Sequence, residues 1–526
     1  MGSSHGDGFV WVWWGLGLLL LGWVVVQVVR AVMWVWWTPR RLERALRQQG
    51  IPGNSYRLLF GDIGEGTRLT EEAKLKPMRS FSHDIGARIL PLLQRAMETH
   101  GKVSFTWFGP YPRVSIMDPA LIREVLSNKF GHIRKPEPTP LTRFFLTGLV
   151  SYEGEKWATH RRIINLAFHA EKLKLMLPAF SVCCTELVSR WEKLLGPEGF
   201  CEIDVWPELQ NFTKDIISRT AFGSRFEEGR RIFQLQEEQV QLAIQSVQHW
   251  VIPGYRYIPT KKNRRMKETF REVSELLRNM IIKREKAMQS GIASNDDLLG
   301  LLLESNLAYS SEKGDLDKFR MTTEDMIDEC KLFYFAGQET TSCLLTWTMV
   351  VLSMHPEWQE RARTEVLQVF GKDKPDLDGL SQLKIVTMIL YEVLRLYPPA
   401  VFLSRSIYKT MKLGEYTFPP GVRFILPILF IHHDPEVWGN DANEFKPERF
   451  IEGVSKASKN KLAFFPFGGG ARVCIGQSFA FLEAKMGLST ILQNFSFELS
   501  PAYRHAPHTV LTLQPQHGAH VILHKV

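Results

Sequence analysis

The sequence predicts a mostly α-helical protein with small β-sheets, preceded by one N-terminal transmembrane helix. Long helical patterns dominate, for example Thr322 to Met354 and Leu383 to Leu396. Strand-like segments are short and lie near Val103–Met117, near Phe402–Leu426 and at the C-terminus around Val510–Val526. With 526 residues, of which 44% are hydrophobic, the chain can bury a large core, which excludes an intrinsically disordered protein.

The N-terminal helix is predicted from the run between Phe9 and Val29, which holds no charged residue. A helix of this length crosses a hydrocarbon layer of about 30 Å. Tryptophans gather at both ends of the run, where indole rings favour the membrane interface. A cleaved signal peptide is the alternative, but the run exceeds the usual apolar core of roughly 7 to 15 residues, and no small-residue cleavage pattern follows it. We therefore predict a membrane anchor over residues 9–37.

Basic residues after the anchor predict its orientation. Arginines 40, 41, 44 and 47 follow it, whereas Asp7 is the charged side chain of the short preceding tail. By the positive-inside rule, residues 1–8 form a lumenal tail and the chain after Thr38 faces the cytosol. Residues 38–54 are interpreted as a basic segment with a Pro/Gly hinge, and residues 55–526 as one large domain.

Composition restricts the partners of this domain. Six cysteines are too few for a disulfide scaffold in so long a chain, and a reducing compartment is expected. The net charge of +9 favours anionic lipid or an acidic protein. The basic cluster from Lys261 to Lys286 lacks interleaved aromatic residues and zinc-ligand spacing, so we interpret it as a solvated helix face and expect no nucleic-acid partner.

The strongest chemical signal is the sequence FGGGARVCIG, which ends at Gly476. A thiolate that approaches a flat macrocycle closely needs backbone without side chains, which Gly470 and Gly476 provide. Inward-pointing amides and low solvent access tune such a sulfur. Arg472 is placed to pair with an acidic group of the ligand, and Phe467 can shield the sulfur from water. We therefore predict that Cys474 is a metal ligand.

This loop resembles the haem-binding signature F-x-x-G-x-R-x-C-x-G of the cytochrome P450 superfamily, and every fixed position matches. The resemblance implies a cytochrome P450 fold and a haem-thiolate catalytic domain over residues 55–526. It also implies haem b, with its iron ligated by Cys474, and electrons that come from NADPH through a reductase. A buried structural cysteine in a glycine loop is the alternative.

A second motif interrupts a long apolar helix with the sequence AGQETT, residues 336–341. An alcohol beside a carboxylate can relay protons through water. The motif is similar to the oxygen-activating helix of the same family. The resemblance implies that Ala336 and Gly337 leave room for O2, and that Glu339 and Thr340 are catalytic residues that deliver protons. A helix with a polar stripe is the alternative.

A third motif pairs Glu392 with Arg395, which are neighbours on one helix face. The same E-x-x-R spacing also starts at other glutamates, so the pattern has value only by its position before the sequence PERF at residues 447–450. The resemblance implies that Glu392, Arg395 and Arg449 form a buried structural network. Such a network must be complete, because a buried charge left unpaired is strongly destabilising.

Three further residues are candidates for the haem propionates. Trp157 and Arg161 resemble the family's W-x-x-x-R, and a spacing of four places both on one helical face. Arg405 follows the Pro-Pro turn, where the family often has another propionate partner. An aromatic anchor and surface arginines are the alternative.

The sequence also resembles plant family 72, subfamily A, in the segments PRRLER, QGIPGNSYR and HHDPEVWG that begin at Pro39, Gln49 and His432. This implies an anchor in the endoplasmic reticulum membrane, an NADPH-cytochrome P450 reductase as partner and a hydrophobic substrate of terpenoid type. A triterpenoid or steroidal saponin precursor is expected, with gibberellins and secoiridoids also in the class.

Substrate contacts are expected from Phe333 and Phe335, and from the segments Ala400–Phe402, Pro136–Leu149 and Thr509–Leu511. Two other functions are weighed against a monooxygenase. A haem-thiolate isomerase or dehydratase would need no reductase and no proton-relay alcohol, so the Glu-Thr pair argues against it. A non-catalytic haem carrier or gas sensor would be expected to carry a signalling domain.

Overall fold

The computed structural model describes residues 5–78, 81–128, 131–138, 142–144, 146–223, 226–249, 251–290, 297–312, 321–460 and 462–526. Its α-helices are α1 His5–Val32, α2 Thr38–Arg47, α3 Ile63–Leu75, α4 Gly86–Ile89, α5 Pro91–His100, α6 Pro119–Ser127, α7 Gly154–Ala167, α8 Ala170–Glu192, α9 Val205–Phe222, α10 Phe226–Ile244, α11 Lys261–Gln289, α12 Leu298–Glu312, α13 Thr323–Met354, α14 Pro356–Phe370, α15 Leu377–Gln382, α16 Lys384–Leu396, α17 Ile428–His432, α18 Pro435–Trp438 and α19 Gln477–Asn494.

The strands form small sheets. They are β1 Phe105–Phe108, β2 Tyr111–Ser115, β3 Ile133–Arg134, β4 Phe200–Asp204, β5 Leu403–Ile407, β6 Met411–Leu413, β7 Tyr416–Phe418, β8 Arg423–Leu426, β9 Phe495–Leu499, β10 Pro507–Thr509, β11 Leu513–Pro515 and β12 His520–Lys525. The largest sheet has the order β1-β2-β8-β5-β3, and a second has the order β4-β12-β9. The pairs β6-β7 and β10-β11 are antiparallel hairpins. The predicted class, mostly helical with small sheets, is confirmed.

The helix α13 is the central element of the main core. A capping box fixes its start, because the Thr322 hydroxyl accepts from the Asp325 amide and the Asp325 carboxylate accepts from the Thr322 amide. Its second half is almost wholly buried against α9, α16 and α19. Helix α19 follows the cysteine loop directly, so the predicted ligand and the predicted oxygen-activating motif lie on elements that share one core.

The N-terminal helix extends further than the sequence predicts. A π-helical turn, Met33–Trp37, joins α1 to α2 without a break, and the amide of Thr38 donates to the carbonyl of Met33. Wider helical turns of this type tolerate the Pro39 that follows, which has no N–H to donate. Among the described residues this is the one helix long and apolar enough to span a membrane. Residues 1–4 of the predicted tail lie outside the described residues.

The basic segment packs on the domain. Leu42 and Leu46 of α2 are buried in the core beside the largest sheet. The Tyr56 hydroxyl donates to the carbonyl of Val35 over 2.7 Å, and the Trp34 indole donates to the Tyr111 hydroxyl over 3.3 Å. These contacts fix the direction of the apolar helix relative to the domain.

Candidate active site

Cys474 lies in the loop between the 3₁₀ turn Gly470–Arg472 and α19. Its amide donates to the carbonyl of Phe467 over 2.9 Å, which closes the loop. The side chain is solvent-accessible, although protein surrounds the loop. The thiol is therefore open to a ligand, while the protein around the loop desolvates it. Burial raises the pKa of the Cys474 thiol, and the amide of Gly476 and the charges of Arg161 and Lys135 act in the opposite direction.

Two glycines of this loop have different surroundings. Gly470 has a φ of +65°, and a Cβ there would lie 2.1 Å from the carbonyl oxygen of Leu126 on α6. At Gly476 the nearest atom to such a Cβ is 3.9 Å away, on Phe168. The contact at Gly470 is with the protein, whereas the space at Gly476 leaves the expectation that glycine gives room to a macrocycle a prediction. Gly470 permits the loop to pack on α6, and Gly476 supplies an amide to the sulfur.

Four cationic side chains form a cluster beside Cys474, in which Arg161 and Lys135 act on the sulfur and Arg405 and Arg472 act on Lys135. Arg161 donates to the carbonyl of Val473 over 2.8 Å. Burial and the neighbouring Arg472 lower the pKa of Arg405 to about 10. Burial and then Arg405 and Arg472 lower the pKa of Lys135 to about 7. Both pKa shifts show that these cations are desolvated and that they repel one another.

Among the described residues, Glu153 is the carboxylate paired with this set. It lies 2.6 Å from a guanidinium nitrogen of Arg472 and accepts the amide of Lys135 over 2.9 Å. The Arg472 guanidinium also lies over the Trp157 ring at 4.2 Å from its centroid. One carboxylate against four cations leaves positive charge to neutralise. A ligand with two carboxylates beside a group that binds a thiolate fits this donor set, as haem does.

The helix α13 carries the second motif of the candidate site. Ala336 is exposed and Thr340 is half-buried, whereas Gln338, Glu339 and Thr341 are buried. Phe168 joins this part of α13 to the cysteine loop, since its ring lies 5.9 Å from that of Phe333 and within 3.9 Å of a Cβ at Gly476. The structure therefore brings the two strongest motifs of the sequence together.

Gly337 has a different neighbour from the one that the resemblance implies. A Cβ there would lie 2.7 Å from the Ile217 side chain of α9. The glycine lets α9 and α13 pack closely, so the contact it relieves is between helices. Ala336 is the small residue that faces the open side of α13.

Glu339 and Thr340 are adjacent in sequence but have different partners. The Thr340 hydroxyl donates to the carbonyl of Ala336 over 2.9 Å. The Glu339 carboxylate accepts from the Thr512 hydroxyl over 2.7 Å and from the Gln514 amide. The described residues show no direct hydrogen bond between Glu339 and Thr340. A proton that passes from one side chain to the other would therefore travel through water.

The predicted charge network is present and complete. Glu392 and Arg395 are fully buried and form two hydrogen bonds, of 2.6 and 2.8 Å. Arg395 also donates to the carbonyls of His432, Ala442 and Glu444. Arg449 lies 3.4 Å from Glu392 and pairs with Asp441 at 2.9 Å. Arg449 is the main cause that lowers the pKa of Asp441 to about 2.

Some residues beside the site were missed by the sequence analysis. They are Lys135, Glu153, Phe168, Thr512 and Gln514. No short motif marks them, because each reaches the site from a distant part of the chain. His160 is a further case. It lies inside the W-x-x-x-R motif and its ring nitrogen is 2.7 Å from Glu329, a contact that links α7 to α13.

The expected substrate contacts are only partly close to one another. Phe335, Val510 and Leu511 share a small apolar cluster. Phe333 is buried in the main core and contacts Phe168. Residues 139–141 and 145 of the predicted contact loop lie outside the described residues.

Comparison with known proteins agrees with this geometry. The family model described as Cytochrome P450 matches residues 82–521. The chain is 65% identical to "Cytochrome P450 CYP72A616" of Paris polyphylla, with 96% of this chain and 98% of the relative covered. It is 56% identical to "Cytochrome P450 72A11" of Arabidopsis thaliana (95% and 96% covered) and 55% identical to "Cytochrome P450 72A397" of Kalopanax septemlobus (94% and 95% covered).

The fold and the site thus define a haem-thiolate monooxygenase, an oxidoreductase that takes electrons from NADPH through a redox partner and acts on hydrophobic substrates. The chain belongs to the cytochrome P450 family, and the three relatives named above carry names of family 72, subfamily A. The single apolar N-terminal helix is consistent with a membrane anchor.

Proposed function

We propose that this protein is anchored in the endoplasmic reticulum membrane, with its catalytic domain in the cytosol, and that it hydroxylates a terpenoid-type substrate. A triterpenoid or steroidal saponin precursor is the class we favour, and NADPH-cytochrome P450 reductase is the proposed electron donor. The observation that carries the proposal is the accessible Cys474 thiol beside a cluster of four cationic side chains that share one carboxylate among the described residues. The substrate class rests on the resemblance to plant family 72, subfamily A, to which the names of these relatives also refer.

In this proposal the chain holds haem through two groups of residues. Cys474 ligates the iron as a thiolate, which the Gly476 amide and the nearby Arg161 and Lys135 favour over the thiol. Arg405 and Arg472, with Arg161 and Trp157, receive the propionates, because charge-assisted hydrogen bonds to carboxylates are strong. When bound, haem supplies O2 activation and oxygen insertion into an unactivated C–H bond.

The remaining residues orient the substrate and supply protons. Ala336 leaves space for a hydrophobic substrate on the exposed side of α13, whereas Phe335, Val510 and Leu511 line a cavity beside Glu339. Glu339 gives up a proton and Thr340 passes it on through water, and both are restored from solvent. Glu392, Arg395 and Arg449 have structural roles, since all three are buried and paired.

Product analysis after co-expression with a plant reductase tests the function. Microsomes would be supplied with neutral triterpenoids, steroidal sapogenin precursors, a gibberellin and a secoiridoid, with and without NADPH. We expect an oxygenated terpenoid product that requires NADPH and contains an atom from 18O2. Product formed at full rate without NADPH would instead identify a haem-thiolate isomerase or dehydratase.

Fractionation and protease protection test the location. We expect the protein in the endoplasmic reticulum fraction, with the catalytic domain open to protease added outside sealed microsomes. A domain protected until detergent is added would contradict the orientation, which rests on the arginines after the anchor.

A further inference from the structure

Two side chains of the C-terminal hairpin, formed by β10 and β11, donate hydrogen bonds to the Glu339 carboxylate and so orient it. Thr512 and Gln514 both approach the same carboxylate oxygen, Oε1. Among the described residues, the hydrogen bond to the other oxygen is a long one, of 3.4 Å, from the amide of Gln338. The hairpin therefore holds one side of the carboxylate firmly and leaves the other side less constrained.

The hairpin is itself tied to α13. The Cys343 thiol is 3.3 Å from the Thr512 hydroxyl, and the Trp347 indole donates to the carbonyl of Leu513 over 2.8 Å. Cys343 and Trp347 lie one and two turns beyond Glu339 on the same helix. These contacts bury Thr512 at 6% exposure, so its hydroxyl has little freedom to leave the carboxylate.

A polar cavity of about 120 Å³ adjoins the carboxylate. Lys214, Glu237 and Gln514 line it together with Glu339. A space of this size can hold several waters. A carboxyl group that donates a proton toward Thr340 has to take one back from water, and this cavity is on its side of α13.

We propose that Thr512 and Gln514 are positioning residues for Glu339, and that they set how readily its carboxyl group exchanges a proton between the polar cavity and Thr340. The inference rests on the proposed function of Glu339. The step moves one proton from the carboxyl group to water or hydroxyl on the Thr340 side, and a second proton from cavity water restores the acid. Neither hairpin residue gains or loses a proton in the cycle.

The double variant Thr512→Val with Gln514→Leu removes both hydrogen-bond donors of the hairpin while keeping the side-chain size. Thr512→Ser is the conservative variant, which keeps its donor. Glu339→Gln measures the effect of losing the acid itself. Gln516→Leu is the matched control, because Gln516 accepts from Arg88 in the same segment and does not contact Glu339. All are purified as full-length holoenzymes in lipid vesicles, and their melting temperatures and reduced carbon monoxide spectra establish that they are folded and loaded.

The first readout is the C–O stretching band of the reduced carbon monoxide complex, which senses nearby charge without turnover. We expect the double variant to shift or broaden the band and Thr512→Ser and Gln516→Leu to leave it unchanged. In the Glu339→Gln background the hairpin changes should have no further effect, because residues that act through one another are not additive. A band unmoved by the double variant, or moved equally in both backgrounds, overturns the proposal.

The second readout is the solvent isotope effect on single turnover, with reductase-bound, NADPH-reduced enzyme mixed with O2 in H2O or D2O. We expect about a tenfold slower turnover in the double variant with a larger isotope effect, within the range for a displaced proton donor. An unchanged isotope effect in a slowed variant contradicts the positioning role. If Glu339→Gln has the turnover rate and the isotope effect of the wild type, the proposed function of Glu339 is wrong. This result differs from one in which only the hairpin variants behave like the wild type.

Discussion

Two arginine-containing regions of this molecule differ in how their charges are neutralised. In the network of Glu392, Arg395 and Arg449, each charged group is buried and meets protein partners at hydrogen-bond distance. Around Cys474, four cations share the single carboxylate Glu153 among the described residues. The first region is complete in the protein alone, whereas the second becomes complete when an anionic ligand binds. The first should therefore govern folding and the second cofactor retention.

The largest effect is expected from breaking the complete network. Glu392→Gln leaves Arg395 buried without its anion, whereas Arg449 keeps Asp441, and should cost about 3–5 kcal/mol of folding free energy. Thermal unfolding and the yield of folded protein measure it. Glu448→Gln, which breaks an exposed pair with Arg361, is the control and should change stability by about 0.5 kcal/mol or less. Equal losses of stability in Glu392→Gln and Glu448→Gln would contradict the structural importance of the buried network.

A second comparison separates two glycines in the cysteine loop. Gly470→Ala forces a Cβ against the Leu126 carbonyl at a positive φ, and about 2–4 kcal/mol of stability should be lost. Gly476→Ala meets nothing closer than 3.9 Å and should alter the unfolding free energy by about 0.5 kcal/mol or less. Chemical denaturation of both variants provides the measurement. A more damaging substitution at Gly476 would mean that bound haem, and not α6, sets the glycine requirement.

The incomplete region is tested at Arg405. Arg405→Gln removes a buried cation, so haem retention should fall by about 10-fold or more, from a loss of roughly 1.5–3 kcal/mol for a hydrogen bond to a charged group. Transfer of haem to apomyoglobin gives the rate. The exposed Arg504→Gln is the control. Unchanged transfer from the Arg405 variant would exclude it as a propionate partner.

The smallest effect concerns Glu483 on α19, a buried acid without an arginine beside it. Burial raises the pKa of Glu483 well above its ordinary value, so the folded protein favours the neutral form. This stabilisation is complete below the unfolded-state pKa of about 4.3 and is lost as the pH rises toward the folded-state pKa. Glu483→Gln should therefore become the more stable protein, by on the order of 1 kcal/mol, between about pH 5 and pH 8. Parallel melting curves at every pH would contradict this.

The sequence predicted the features that depend on local spacing. The cysteine loop, the W-x-x-x-R helix and the E-x-x-R pair use neighbours within one turn or one loop, and the structure has the charge network as expected. It could not reveal contacts between distant segments. Thr512 meets Glu339 across 173 residues, and Lys135 meets Arg405 only after β3 pairs with β5. The packing role of Gly337 was missed for the same reason, because its neighbour Ile217 is on another helix.

The N-terminal segment also has a feature that the sequence could not predict. Composition predicted an apolar helix followed by a basic segment. The unbroken passage through a π turn depends on how α2 packs on the sheet, which no residue pattern in the segment specifies.

The ligation of iron by Cys474 is tested most directly by the reduced carbon monoxide difference spectrum of the purified Cys474→Ala protein, compared with the wild type and with Cys343→Ala. We predict that the wild type and Cys343→Ala show the thiolate-type band, and that Cys474→Ala loses it together with most of its haem. Retention of both the haem and that band by Cys474→Ala would show that another residue binds the iron.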